Sequence, residues 1–377
     1  MSREFDVAVV GAGILGLAHA WAAARAGARV VLFERSPRAQ GASIRNFGMV
    51  WPIGQWPRER YEIALRSRQR WLELSQSAGI WVEPCGSLHL AYADDELAVL
   101  EEFVAGKTHD CQLLSPAEAV SRYPAVEPNG LRAALYSATE CCVDPRQAIA
   151  QLPAFLAERF GVQLHFGTTI TRIEAPHLTA ADGRRWQARH ILVCSGSDFE
   201  TLFPEVLATA GLRRCKLQML RTAPQPDGWR IGSHIAGGLT LCHYAAFSTC
   251  PSLPVLRQRF QQTMPRYLHF GIHVMASQNH LGEIVIGDSH EYDDDIDIFD
   301  KQEIDDLILA YLRRMLRLPN WDIAARWHGI YAKHPEAALF TAQPQSGVTV
   351  RVAPGGAGMT LAFGLADVWW EQSGIEP

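Results

Sequence analysis

The chain has 377 residues, 48% hydrophobic and 20% charged, with 35 Lys and Arg against 40 Asp and Glu for a formal net charge of −5. That length supports two domains with a large buried core, and the composition is that of a soluble globular protein. The mild acidity excludes a basic field for nucleic acid, and no apolar run is long enough to span a membrane.

The first strand begins near residue 5, with no room ahead of it for a secretory leader, so a cytoplasmic location is expected. Val7 to Val10 run into Gly11, Gly13 and Gly16, an Ala-rich helical stretch carries to Gly27, and a second apolar strand from Arg29 to Phe33 ends in Glu34. Strand, glycine turn, helix, strand and acid together form a dinucleotide-binding unit. Gly11 makes the tight turn, Gly13 admits a pyrophosphate beside Ile14 and Leu15 at the helix start, and Gly16 lets helix and strand pack closely. Glu34, 18 residues after Gly16, suits a ribose diol and repels a 2′-phosphate, which disfavours NADP.

From Arg35 to Pro52 the chain lacks periodicity. Ser43, Arg45, Asn46, Gly48 and Met49 fall in this stretch, which reads as a ligand-touching loop or as a solvated one. An amphipathic helix follows over 58–78, then a strand over 82–90 interrupted at Gly86, a helix over 94–104 and a short helix capped by Ser115 with Glu118 three residues on. A strand is expected around Leu135 and Tyr136. The eight cysteines show no metal-ligand spacing, and adjacent Cys141 and Cys142 read as buried residues entering a helix or as a redox pair. Asp144 and Pro145 start a helix that Gly161 ends, two edge strands follow to Glu174, and a strand over 191–193 runs into Cys194, Ser195 and Gly196.

Strands are expected over 215–221, 267–275 and 282–287, and a helix over 304–315. The acidic run Asp293, Asp294, Asp295 and Asp297 lacks the glycine and terminal Glu of a calcium loop and reads as a solvated loop, so no metal is assigned. A strand over 348–352 leads to a second glycine turn, Gly355, Gly356, Ala357, Gly358, Met359 and Thr360, at a helix start. Two such turns at opposite ends of the chain suit one extended ligand, and FAD is long enough to need both.

In this order the motifs resemble the FAD-dependent amine and amino-acid oxidase family that includes D-amino acid oxidase, glycine oxidase and monomeric sarcosine oxidase. The resemblance implies an α/β fold in which a Rossmann-like FAD-binding domain (1–85, 141–213 and 322–377) is interleaved with a substrate domain (86–140 and 214–321) built on a mixed β-sheet flanked by helices. It implies that Gly11, Gly13, Ile14, Leu15 and Gly16 hold the pyrophosphate and that Glu34 and Arg35 lie at the adenosine. Ser43, Arg45, Asn46, Gly48 and Met49 would flank the isoalloxazine, and Ile170, Ser195 and Gly196 would serve the adenine side. Gly355 to Thr360 would cover the flavin's pyrimidine edge.

Family members that hold an α-amino acid carboxylate read W-x-G-x-R-P-x-T-P-D near the C-terminus. Here the segment is Trp327, His328, Gly329, Ile330, Tyr331, Ala332, Lys333, His334, Pro335, Glu336, so a tyrosine replaces the arginine and a lysine follows two residues later. A phenol and a point charge suit a tetrahedral dianion better than a planar carboxylate. With the stretch Gly287 to Asp295, this segment resembles a subgroup linked to aminophosphonate catabolism, whose substrates are 2-aminoethylphosphonate-type amines. The implied partners are a small amine and O2 or another electron acceptor. Lys333, Tyr331 and His273 are candidate catalytic residues; Arg45, His243, Tyr244, His290, Tyr292, Tyr331, Lys333 and His334 are candidate substrate contacts. A glycine or sarcosine oxidase, an FAD-dependent 2-hydroxy acid dehydrogenase and a non-catalytic FAD-binding sensor are the competing readings.

Overall fold

The computed structural model describes residues 4–373; residues 1–3 and 374–377, which the sequence assigns to the nucleotide half, lie outside the described residues. Strand β1 (Glu4–Val10) is buried from Phe5 to Val9, as a central parallel strand covered on both faces must be. It pairs in parallel with β2 (Val30–Glu34) on one side and with the strand Arg185–Val193 on the other, and the helix α1 (Ile14–Arg25) makes the β1-to-β2 crossover. The eight-stranded sheet is completed by Val348–Val352, parallel to Arg185–Val193, its antiparallel neighbour Phe340–Gln345, and edge strands that include Gln163–Phe166 and Ile170–Glu174. Those last two are consecutive in sequence yet occupy opposite ends of the main strand order.

A second, nine-stranded mixed sheet carries the other half of the molecule. Its spine is the strand Arg213–Pro224, which pairs with Ile323–Lys333 from Arg213 opposite Lys333 to Thr222 opposite Ile323. This moves the expected boundary, since residues 323–333 were assigned to the nucleotide half and are hydrogen-bonded into the second sheet. The single strand expected over 82–90 is two: Val82–Glu83 joins a small sheet with Met49–Val50 and Cys141–Val143, and Ser87–Ala91 joins the nine-stranded one. The chain turns between them at Gly86, whose φ of +67° and whose place against the Ser137 carbonyl, 2.5 Å from where a Cβ would stand, leave room for no side chain. The strand expected over 267–275 is largely a helical turn, Pro265–His269, because Pro265 sits at its first position and the strand starts only at Met275. Cys141 and Cys142 are buried strand residues ahead of the helix, and both are free thiols whose pKa values burial pushes up to about 11 and about 12.

The predicted helix caps form. Asp144 accepts from the N–H groups of Arg146 and Gln147 ahead of Pro145–Phe160, Gly161 ends that helix at φ +70°, and Ser115 and Glu118 form a reciprocal capping box. Helix Glu59–Ala78 packs against the C-terminal helix Gly358–Ser373, where the buried Trp71 donates from Nε1 to the Met359 carbonyl at 2.9 Å. The helices touch at Gly364, where a Cβ would stand 2.1 Å from the Ile63 carbonyl oxygen. Gly364→Ala is therefore expected to lower unfolding free energy by about 1–3 kcal/mol despite alanine's better helix propensity. Chemical denaturation checks this; an unchanged or raised midpoint would show that the helices separate without cost.

Candidate active site

A cavity of about 700 Å³ runs between the two sheets. At one end lies the first glycine turn. Gly11 has φ +106° and a Cβ there would fall 2.3 Å from the Cys194 carbonyl, while a Cβ on Gly16 would fall 1.9 Å from the Gly11 carbonyl. These two glycines let strand, turn and helix interlock. Gly13 differs, since its missing Cβ meets only Ser43 Oγ, at 3.1 Å, and the residue lines the cavity with Ile14 and Leu15. Gly13 itself brings no side-chain cap to α1, the Ile14 N–H at the helix start donates to Ser43 Oγ at 2.9 Å, and the positive end of the helix lies at the cavity wall. Beside it the Glu34 carboxylate is held at the cavity wall by the N–H groups of Ala12 and Ser36, both at 3.0 Å. Arg35, Ile170, Ser195 and Gly196 line the same end, where the Arg35 guanidinium meets Asp198 at 2.7 Å and Ser195 Oγ donates to the Asp198 carbonyl at 3.1 Å.

The middle of the cavity is bounded by Ser43, Arg45, Asn46 and Met49. Asn46 shapes this loop: its Nδ2 donates to the carbonyls of Ala42 and Ser43, each at 3.0 Å, and its Oδ1 accepts from Gly48 at 2.8 Å. Arg45 reaches the His328 carbonyl at 3.2 Å. Gly48 does not line the cavity; it lies behind the wall with φ +75°, pressed on the Val143 carbonyl, and like Gly16 it serves packing. Gly355, Gly356, Ala357, Gly358, Met359 and Thr360 line the far side, with Thr360 Oγ1 accepting from the Trp51 N–H at 2.9 Å. Both glycine turns thus face one continuous space. A helix start at a side-chain-free Gly13, with the Ser43 hydroxyl on its first N–H, and an anchored carboxylate fit the pyrophosphate and ribose of FAD.

At the other end Tyr331 is 8% exposed, and burial with Cys215 and Tyr292 beside it holds its phenol well above the ordinary pKa, hence neutral. Above it three imidazoles gather. The ring centroids of His243 and His273 are 3.8 Å apart, those of His243 and His290 4.5 Å, and those of His273 and His290 4.9 Å. Asp288 lies against two of them, with Oδ1 3.2 Å from His273 Nε2 and Oδ2 3.8 Å from His290 Nε2. Burial depresses His273 well below the ordinary histidine value and His290 to about 4, and it raises Asp288 well above the carboxylate range. At these three groups burial outweighs pairing, while His243 is open to the cavity. Tyr244 lines the same wall beside Met275.

Lys333 is exposed at the cavity rim and donates to the Tyr292 hydroxyl at 3.3 Å. His334 lines the cavity, but its Nδ1 accepts from the N–H groups of Glu336 and Ala337, which makes it a turn-former. Tyr292 is not part of the cavity wall; it borders an adjoining opening with His243, His290, Lys333 and the acids Glu291, Asp293, Asp295 and Asp297. Sequence reasoning missed Asp288 and Trp51, both of which line the cavity. Asp288 lies inside the stretch Gly287 to Asp295 already singled out, and only its burial distinguishes it from the solvated acids after it.

The buried imidazoles make the fold acid-sensitive. A histidine whose folded pKa is depressed binds its proton more readily in the unfolded chain, so stability falls as pH drops from the unfolded value of 6.5. His19, His89, His234, His273 and His290 all act this way, against Glu140, Asp288 and Asp305, whose raised values act oppositely by favouring the fold at low pH. The melting temperature is expected to fall between pH 6.5 and about 4, where His234 and His290 titrate in the fold. A melting temperature flat across that range would show these rings to be protonated in place.

Two glycine turns facing one elongated cavity, one of them at the end of a parallel β–α–β unit, define a flavin-type dinucleotide protein. The chain belongs to the FAD dependent oxidoreductase family, whose profile matches residues 6–369, and FAD is its cofactor. It is 27% identical to glycine oxidase of Geobacillus kaustophilus over 212 residues, 52% of this chain and 56% of that protein. It is 23% identical to an opine oxidase component of Agrobacterium tumefaciens over 237 residues, 58% of this chain and 63% of that protein. The chain thus spans a little over half the length of these curated relatives. In structure it resembles the Geobacillus kaustophilus glycine oxidase at a TM-score of 0.76 and 19% identity, covering 98% of this chain and 94% of the other. It also resembles L-proline dehydrogenase from P. horikoshii at a TM-score of 0.75 and 18% identity, covering 99% and 95%. Among the described residues no helix is long and apolar enough to cross a membrane.

Proposed function

We propose that the protein oxidises a small amine carrying a tetrahedral anion, 2-aminoethylphosphonate or its N-methyl form, to an aldehyde and free amine. FAD, held by the Gly11–Gly16 turn, Glu34, the Ser43–Met49 loop and the Gly355–Thr360 turn, would supply the hydride acceptor. The chain's own residues would bind and orient the substrate and keep water from the reacting carbon. The observation that carries the reading is Tyr331: the strand position where a carboxylate-binding relative reads arginine holds a buried neutral phenol. The arginines that line the cavity, Arg35, Arg45 and Arg60, come from the N-terminal segment, and none of them lies on the strand that carries Tyr331. Tyr331 and the histidine cluster would then anchor the anion at the cavity's end, with Lys333 adding charge at the rim and O2 or a carrier taking the electrons.

A glycine- or sarcosine-type amino-acid oxidase is the second reading, supported by the sequence match to glycine oxidase. Anaerobic bleaching of the flavin with 2-aminoethylphosphonate, its N-methyl form, glycine, sarcosine and a 2-hydroxy acid separates the readings. The proposal expects rapid bleaching with the phosphonates and slow bleaching with the rest. Equal or faster bleaching by glycine or sarcosine would overturn it in favour of the second reading. Bleaching by the hydroxy acid alone would make the protein a dehydrogenase of that class.

A further inference from the structure

We propose that His243, His273 and His290, with Asp288 lying against the latter two rings, form a binding site for one divalent transition-metal ion at the end of the cavity away from the first glycine turn. One ligand nitrogen from each of the three rings lies within 4.8 Å of the others. Nitrogens around a tetrahedral zinc at 2.0–2.1 Å stand roughly 3.3 Å apart, so small ring rotations close the set. The rings come from three segments: the end of the helix Gly238–His243, the lead-in to the strand Met275–Gln278, and the chain just after the strand Glu283–Gly287. The pairing of Met275 with Gly287 in that hairpin sets His273 and His290 side by side.

His273 Nδ1 is buried with no hydrogen-bond partner, and Asp288 Oδ1 has only the contact with His273 Nε2 at 3.2 Å. A buried ring nitrogen of this kind is ordinarily satisfied, and this one has room for an occupant. His290 is already oriented as metal-bound histidines are: its Nδ1 lies 3.1 Å from the Gly271 carbonyl, so the N–H sits there and Nε2 keeps its lone pair for the cluster.

A cation has a way in. The adjoining opening is bordered by His243 and His290 and by Glu291, Asp293, Asp295 and Asp297. Of its lysines, Lys216 is tied to Asp300 and Lys301 to Glu291 and Asp297, which leaves Lys333 as the cation facing an incoming metal. Three imidazole nitrogens with an open position suit zinc or iron(II). Resting on the amine-oxidation reading, the ion would hold the substrate's anionic end as a Lewis acid where an arginine would hold a carboxylate.

The test uses FAD-loaded protein, stripped with EDTA, titrated with Zn²⁺, desalted and assayed for metal by mass spectrometry. One zinc per chain is expected, with at least a tenfold loss of affinity in both His273→Ala and His243→Ala. His243 is open to the cavity, so its variant keeps the fold; retained flavin absorbance and melting temperature verify this for each. His177→Ala, on an exposed strand of the nucleotide half, should bind as the parent does. Absence of stoichiometric zinc in the parent, or unchanged zinc in folded His243→Ala and His273→Ala, overturns the site. Zinc bound without oxidation of 2-aminoethylphosphonate would leave the site standing and sink the substrate reading; oxidation of that amine by protein that binds no zinc does the reverse.

Discussion

Gly13→Val is expected to yield a folded, colourless protein. The glycines of the first turn differ in what surrounds them. At Gly11 and Gly16 an added Cβ would collide with backbone at 2.3 Å and 1.9 Å, so substitution there disrupts the β–α–β unit and loses cofactor through misfolding. At Gly13 the only neighbour within 4 Å of an added Cβ is the Ser43 hydroxyl at 3.1 Å, which accepts from the Ile14 N–H at 2.9 Å and can move at the cost of that one bond, and the residue lines the cavity. Valine would occupy space that the pyrophosphate needs at the helix start. Overpacking of about 1–3 kcal/mol corresponds to roughly one to two decades in Kd, before counting the lost hydrogen bonds to the helix N–H groups. Flavin absorbance after gel filtration, with circular dichroism for the fold, checks the result. A yellow Gly13→Val protein with normal flavin content would remove the assignment of the pyrophosphate to this turn.

Much of the nucleotide half was legible because its signals are local. Val7 to Val10 are apolar on both faces, the three glycines follow at fixed spacing, and Asp144 with Pro145 and Gly161 mark a helix at both ends by their own chemistry. The second half is built from pairings between distant segments. Nothing near residues 323–333 says that their partner is 213–224, so that strand was assigned to the wrong sheet. The helices Gly238–His243 and Leu253–Thr263 went unread because the first is short and the second carries two arginines and three glutamines on a weakly apolar frame. The departure from an arginine at Tyr331 was visible in sequence. The meeting of His243, His273 and His290 was not, since it depends on a hairpin register and on where a short helix ends.

Structure also changes what Tyr331 and Lys333 are expected to do. From sequence, Lys333 is the charge that would meet a phosphonate. In the fold it is exposed at the rim and already bonded to the Tyr292 hydroxyl. A solvated cation of that kind contributes about 0.2–1 kcal/mol, so Lys333→Ala should lower kcat/KM for 2-aminoethylphosphonate only a few-fold. Tyr331 is buried, and its phenol faces the cavity end where the anion is proposed to lie. Tyr331→Phe keeps the ring and removes the donor, and a hydrogen bond to a charged group is worth about 1.5–3 kcal/mol, or one to two decades in kcat/KM. The ring packing is retained, and because the hydroxyl lies against Gly356 of the second glycine turn, flavin content and melting temperature are measured beside the kinetics. The loss should appear chiefly in KM if the bond is made equally in the ground and transition states, and in kcat if it strengthens as the amine loses hydride. An amine without an anionic group should be indifferent to both changes. If Lys333→Ala costs more than Tyr331→Phe, the anion sits at the rim and not in the buried end of the cavity; if neither change alters kcat/KM, the phosphonate anchor lies elsewhere.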